Sequence, residues 1–138
     1  MNIEQAHNLS RSFLFAFQRC MEARQLPTGQ FQLPVVPAVV CAALSVEIGF
    51  KAIILSEGNA ASGHRIAELF KKISASMQDF IIKEVGLDRL AFTSSLDLVS
   101  NAFVEWRYIY EKDGANIDSD FLTKLANATQ KATAIVKK

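Results

Sequence analysis

The sequence predicts an all-α fold, an antiparallel bundle of four longer helices completed by a C-terminal one. Three observations lead there. Apolar residues recur at three- and four-residue spacing along most of the chain, no segment sustains the alternation of a strand, and no hairpin dipeptide separates two apolar runs. At 138 residues the chain is expected to form a single domain, residues 1–138. A chain of this size buries roughly two-thirds of its unfolded surface.

A first helix is expected over residues 3–24, with Ile3, Ala6, Phe13, Phe17 and Cys20 inward and Glu4, Gln18, Glu22 and Arg24 at polar positions. His7 reads as a surface residue of that helix. Leu26-Pro27-Thr28-Gly29-Gln30, with the prolines at 34 and 37, makes the first loop, because proline removes a backbone donor and restricts its predecessor. Pro37 suits the first turn of a second helix, where no intrahelical bond needs its N–H. That helix runs to about Ser56 and is apolar nearly all round, which predicts burial among other helices. Its charges, Glu47 and Lys51, lie four apart in the order that favours an ion pair, and Gly49 between them permits close backbone approach.

Residues 57–63 form a small-residue loop. A third helix is expected from near His64 to Gly86, with Ile66, Leu69, Phe70, Ile73, Met77, Phe80 and Ile81 on one stripe. After a link containing Leu87, Leu90 and Phe92, Ser94 and Asp97 have the spacing of a capping box and open a fourth helix carrying Leu96, Val99, Phe103, Trp106 and Tyr110. Asp118 is placed to cap the last helix, whose inner face is Phe121, Leu122, Leu125, Ala128, Ala132 and Ile135.

Fifteen basic and fourteen acidic residues give a formal charge of +1, which argues against holding long nucleic acid mainly by charge. A small basic patch, in particular one shared across a dimer, remains compatible with that balance. Cys20 and Cys41 lack metal-ligand spacing and read as core thiols. The opening Met1-Asn2-Ile3-Glu4-Gln5 has no basic region of the secretory kind. The apolar run from Leu33 to Leu55 is interrupted by Glu47 and Lys51, with Pro34 and Pro37 breaking its start. A buried helix rather than a membrane span is expected, and a cytoplasmic location.

Three stretches carry a resemblance. They are Ser45-Val46-Glu47-Ile48-Gly49-Phe50-Lys51-Ala52-Ile53-Ile54-Leu55, then Gly63-His64-Arg65-Ile66-Ala67-Glu68-Leu69-Phe70, and Phe103-Val104-Glu105-Trp106-Arg107-Tyr108-Ile109-Tyr110-Glu111. Taken in order, they resemble the HEPN family (higher eukaryotes and prokaryotes nucleotide-binding). The first is similar to that family's glutamate, lysine four residues on, and aliphatic run. The second resembles its Gly-His-aliphatic-Leu helix opening, and the third its Trp-Arg-Tyr segment. The resemblance implies a helical bundle that often dimerises. It also implies either a metal-independent ribonuclease or a toxin component, nucleotide-binding partner or non-catalytic module. Nuclease members carry an arginine followed after four to six residues by histidine. Here the arginine is Arg107, and the positions where histidine would stand are Lys112, Asp113 and Gly114.

Metal-independent RNA cleavage needs a base for the 2′-hydroxyl, a donor to the leaving oxygen and a cation for the phosphorane. Arg107 suits the last role, because a guanidinium binds two phosphate oxygens at once. Lys112 supplies charge but is a poor base near neutrality as a residue type, whereas histidine, here His64, titrates nearest neutrality. Glu47 and Lys51 join the same polar pocket if the second and fourth helices face each other. Each residue also has a plainer reading: Glu47 with Lys51, and Arg107 with Glu111, as ion pairs within a helix, and His64 as a local hydrogen-bonding group. Tyr108 is the exposed candidate for stacking on a base, since Trp106 and Tyr110 lie on the apolar stripe.

No phosphate-cradling glycine loop, metal-ligand pair or nucleophile elbow is present, so no cofactor or metal is expected. The expectation is a non-catalytic or degenerate HEPN-like module, associated with RNA or a nucleotide, homodimeric or bound to a protein partner, in a bacterial defence or toxin–antitoxin-type system. The alternative is a metal-independent endoribonuclease with an atypical site around Arg107.

Overall fold

The protein is all-α, as seen in a computed structural model that describes residues 2–32, 35–100 and 118–136. Arg107, Tyr108, Glu111 and Lys112 lie outside the described residues, as do Phe103, Trp106 and Tyr110. Six helices are described: α1 (Ile3–Cys20), α2 (Val35–Ser56), α3 (Ile66–Lys71), α4 (Ala75–Val85), α5 (Arg89–Val99) and α6 (Ser119–Val136).

α1 begins at a reciprocal cap. Asn2 Oδ1 accepts from the Gln5 amide at 2.8 Å, and Gln5 Oε1 accepts from the Asn2 amide at 3.1 Å, so two donors that the first turn leaves unpaired are satisfied. The helix stops at Cys20, four residues short of the expected end. Arg24 and Gln25 (β1) instead pair antiparallel with Gln32 and Phe31 (β2). The turn between them closes through the Leu26 amide on Gln30 O at 2.6 Å, with Gly29 at φ 87°, a left-handed conformation that only glycine adopts freely.

Ala6, His7, Ser10, Leu14 and Phe17 form the buried face of α1. His7 is therefore not the surface residue expected of it; only 5% of it is exposed. Two of the five residues on that face are strongly polar, and this obscured the stripe. Ser10 Oγ donates to Ser45 O at 2.6 Å and Ser45 Oγ donates to Ser10 O at 2.8 Å, while Gln130 Nε2 of α6 donates to Ser10 Oγ at 2.6 Å. Buried hydroxyls satisfied in this way fix the register of α1 on α2, since sliding either helix would leave them unpaired.

α2 is the central element, packed on α1, α3 and α6. Its stretch Val36–Ser56 is long and apolar enough to cross a membrane, yet 72% of a span-length window is buried inside the protein, as in a core helix. Pro37 sits in its first turn, as expected. Cys41, on this helix, and Cys20 are half-buried and pack against the core, and burial, with the nearby Cys20 second, pushes the Cys41 thiol up.

Gly49 provides the close approach expected of it. A Cβ there would overlap Thr129 Cγ2 of α6 and stand 3.0 Å from Ser10 Oγ. Thr129 cannot easily turn away, because its Oγ1 donates to Leu125 O at 2.7 Å. Gly49→Ala is expected to destabilise by about 1–2 kcal/mol, because overpacking in the upper part of its usual range, about 2–3 kcal/mol, is offset by about 1 kcal/mol of helix propensity. A thermal melt should register a loss of roughly 2–8 °C. An unchanged melting temperature would mean that α2 and α6 have slack between them.

The expected third helix is broken in two. α3 ends at Lys71 and α4 begins at Ala75, although the apolar stripe runs on through buried Ile73. Side chains take over the interrupted backbone bonds. Gln78 Nε2 donates to Phe70 O at 3.1 Å and Ile73 O at 2.8 Å, and Glu57 Oε1 accepts from the Ser74 amide at 2.9 Å. Gly86 ends α4 at φ 88°, as expected.

α5 starts earlier than the Ser94–Asp97 spacing suggested. Asp88 is the cap, its Oδ1 accepting from the Ala91 amide at 2.8 Å, and Ser94 and Asp97 are ordinary helical positions. Asp118 caps α6 as expected, accepting from the Phe121 amide at 2.9 Å. Phe121, Leu122, Leu125, Ala128 and Ala132 are buried, whereas Ile135 is half exposed rather than inward.

A run of rings joins the helices through the core: Phe50 to Phe70 at 5.6 Å between centroids, Phe70 to Phe92 at 5.0 Å, and Phe92 to Phe121 at 5.6 Å. All are tilted or edge-on, the arrangement that ring quadrupoles favour.

Candidate functional site

Three of the residues expected at a site converge on one carboxylate. Glu47 and Lys51 share a face of α2, and Lys51 Nζ lies 3.3 Å from Glu47 Oε2. The third, His64, arrives from the connection between α2 and α3. Gly63, at φ 96°, turns the chain immediately before it, and His64 Nδ1 reaches the same Oε2 at 3.2 Å. The start of α3 is held separately: Arg65 Nε donates to Ser100 Oγ at 2.9 Å, and the Ile66 amide contacts Ser100 O at 3.4 Å.

Burial divides the roles. The Glu47 side chain is 5% exposed and that of Lys51 14%, whereas the His64 side chain is 69% exposed. A carboxylate taken this far from water needs a cation, and Lys51 supplies it from the next turn of the same helix. The second oxygen, Oε1, is buried and has no hydrogen-bond partner among the described residues. Leaving such an acceptor unmet costs about 1–3 kcal/mol, a penalty more usual of functional sites than of plain core.

With the carboxylate as acceptor, neutral His64 carries its proton on Nδ1 and donates it to Glu47. Nε2 is then the basic nitrogen, on an imidazole largely in solvent. The arrangement can accept a proton or hydrogen bond at Nε2 and presents a cationic edge to an anion when the ring is protonated.

The sequence-based expectations are met unevenly. Glu47 and Lys51 form the pair their spacing predicts. His64 joins them, which spacing could not show. Arg107, Lys112, Tyr108 and Glu111 fall outside the described residues, so the convergence of Arg107 with His64 stays an expectation. Among the described residues, no group of three His, Cys, Asp or Glu side chains could hold a metal ion.

Two other concavities lie apart from the cluster. One, of about 270 Å³, lies between α1 and α6 and is lined by His7, Arg11, Gln130, Lys131 and Ala134. Its polar groups are largely engaged: Gln130 holds Ser10, and Lys131 Nζ lies 3.0 Å from Glu84. The other, about 160 Å³, includes Ser95, Asp118, Asp120 and Lys124, of which Asp118 caps α6 and Lys124 pairs with Asp120 at 3.0 Å. Sequence reasoning singled out neither as a site.

Comparison with family models, curated proteins and solved structures gives no significant match to this chain.

Proposed function

We propose that this chain is a HEPN-like helical module that associates with RNA or a nucleotide without cleaving it, as a homodimer or with a protein partner, in the cytoplasm. The bacterial defence or toxin–antitoxin-type setting follows from the resemblance alone. The carrying observation is the meeting of Glu47, Lys51 and His64 at one buried carboxylate. These residues come from two of the three stretches on which the resemblance rests, 17 positions apart in the case of Glu47 and His64. Chemically, the cluster offers Nε2 of His64 to a phosphate when the ring is protonated, or to a donor on a base edge when it is neutral, with a buried acceptor behind it.

Association has its own support in α5. Leu90 and Leu98 are 81% and 80% exposed, two turns apart on α5. Two leucines this bare on one short helix support the reading that α5 meets another chain. A Leu90→Lys, Leu98→Lys variant is expected to elute at monomer mass in light scattering, where the parent elutes as a dimer. Equal masses for the two would remove α5 from the association surface.

One observation favours the alternative, a metal-independent endoribonuclease. A carboxylate holding Nδ1 of an exposed imidazole is the geometry of a general base. End-labelled RNA of mixed sequence, incubated in EDTA with the parent and with His64→Ala and Arg107→Ala, separates the two readings. Binding without cleavage by the parent supports the module. Cleavage lost in both variants establishes the nuclease.

A further inference from the structure

We propose that Nε2 of His64 is a nucleophile that accepts a phosphoryl group from an activated phosphate donor. The inference rests on the geometry of the Glu47–His64 pair and does not require that the chain bind RNA.

Three features of the site are used. His64 Nδ1 is engaged at 3.2 Å, which leaves Nε2 as the ring nitrogen with a lone pair, and the side chain is 69% exposed, so a donor can reach it. Glu47 is 5% exposed and anchored in the middle of α2, so the acceptor that orients the ring is fixed by the core rather than by a mobile surface chain. A carboxylate on the far nitrogen also fixes the ring's orientation and tautomer, as such partners do for metal-binding histidines.

In the step itself the Nε2 lone pair forms an N–P bond while the bond from phosphorus to the leaving group breaks. With phosphoramidate as donor, the leaving group departs as ammonia. The ring gains one positive charge, and the Nδ1 proton stays on the ring in its bond to Glu47. That carboxylate therefore stabilises the charge as it develops. Lys51 Nζ, 3.3 Å from the same carboxylate oxygen, helps hold it in place beneath the ring.

His7 is the internal control. It is the other of the chain's two histidines and is only 5% exposed, so a donor in solution meets His64 far more readily than His7.

The test uses the full chain and potassium phosphoramidate, with intact-mass and peptide mass spectrometry over time. One acid-labile, base-stable phosphoryl group is expected on residue 64, none on residue 7, and none anywhere on a histidine of His64→Ala. Its rate should exceed that of N-acetylhistidine in the same tube, and Glu47→Gln should slow it by about tenfold. An unmodified residue 64, a rate no greater than that of N-acetylhistidine, or a folded Glu47→Gln variant as fast as the parent would overturn the proposal. The comparison with N-acetylhistidine needs no variant and stands even if Glu47→Gln does not fold. A chain that binds neither RNA nor a nucleotide but is phosphorylated here would sink the function proposed above while leaving this inference intact.

Discussion

Phe92→Ala is expected to remove about 3–5 kcal/mol from the fold. Phe92 is fully buried and touches Phe70 on one side and Phe121 on the other, at 5.0 and 5.6 Å between centroids. It is the ring through which α5 meets α3 and α6. Truncation loses the transfer free energy of the ring, opens a cavity and removes two ring–ring contacts worth roughly 0.5–1.5 kcal/mol each. The neighbours cannot simply close in, because Asp88 caps the start of α5 and Asp118 the start of α6. Urea unfolding followed by circular dichroism measures the loss as a fall in midpoint. Phe92→Leu, which refills part of the space, should recover part of it. A loss below about 1 kcal/mol would show that α5 is not held by the core in the way described.

Lys51→Met is the second large effect, about 3 kcal/mol, the lower end of what breaking a buried pair costs. Methionine keeps most of the stem of Lys51 in place and removes only its charge, leaving Glu47 with the exposed His64 as its remaining partner among the described residues. One of its oxygens is already unmet among the described residues. The loss should shrink when Glu47→Gln is added, since the carboxylate that lacked a cation is then gone, and a double-mutant cycle reads that coupling directly. Equal stability of Lys51→Met and the parent would mean that the pair at 3.3 Å does not neutralise Glu47.

What the sequence made legible was mostly local chemistry. Asp118 as a cap, Gly86 as a stop and Pro37 in a first turn depend on a few neighbouring residues, and each stands where expected. The close approach at Gly49 was also readable, because a glycine inside an all-apolar helix needs a packing reason. The break between α3 and α4 was not readable. The apolar stripe continues across it, and of the groups that permit it Glu57 lies 17 residues away, while Gln78 turns its side chain back from the first turn of α4. The start of α5 was misplaced because Leu90, 81% exposed, made the first turn look unlike an amphipathic helix, while Phe92, Leu96 and Val99 carry the true inward face. The burial of His7 was hidden for the opposite reason: histidine reads as polar, yet its position falls on the same stripe as Leu14 and Phe17.

The candidate site divides in the same way. Glu47 and Lys51 were paired by spacing alone, since residues four apart on a helix are neighbours. The partnership of His64 with Glu47 was not open to such reasoning. It depends on the path of residues 57–65 and on the turn at Gly63, which periodicity does not describe.

The central claim is that this cluster binds a phosphate-bearing ligand through His64. It is tested most directly by the fluorescence anisotropy of a labelled mixed-sequence RNA titrated with the parent, His64→Ala and Glu47→Gln in EDTA. Saturable, salt-sensitive binding by the parent, weakened about tenfold in His64→Ala as loss of a charge-assisted hydrogen bond from the protonated ring requires, is the predicted result. Absence of binding by the parent, or equal affinity in a folded His64→Ala variant, would contradict it.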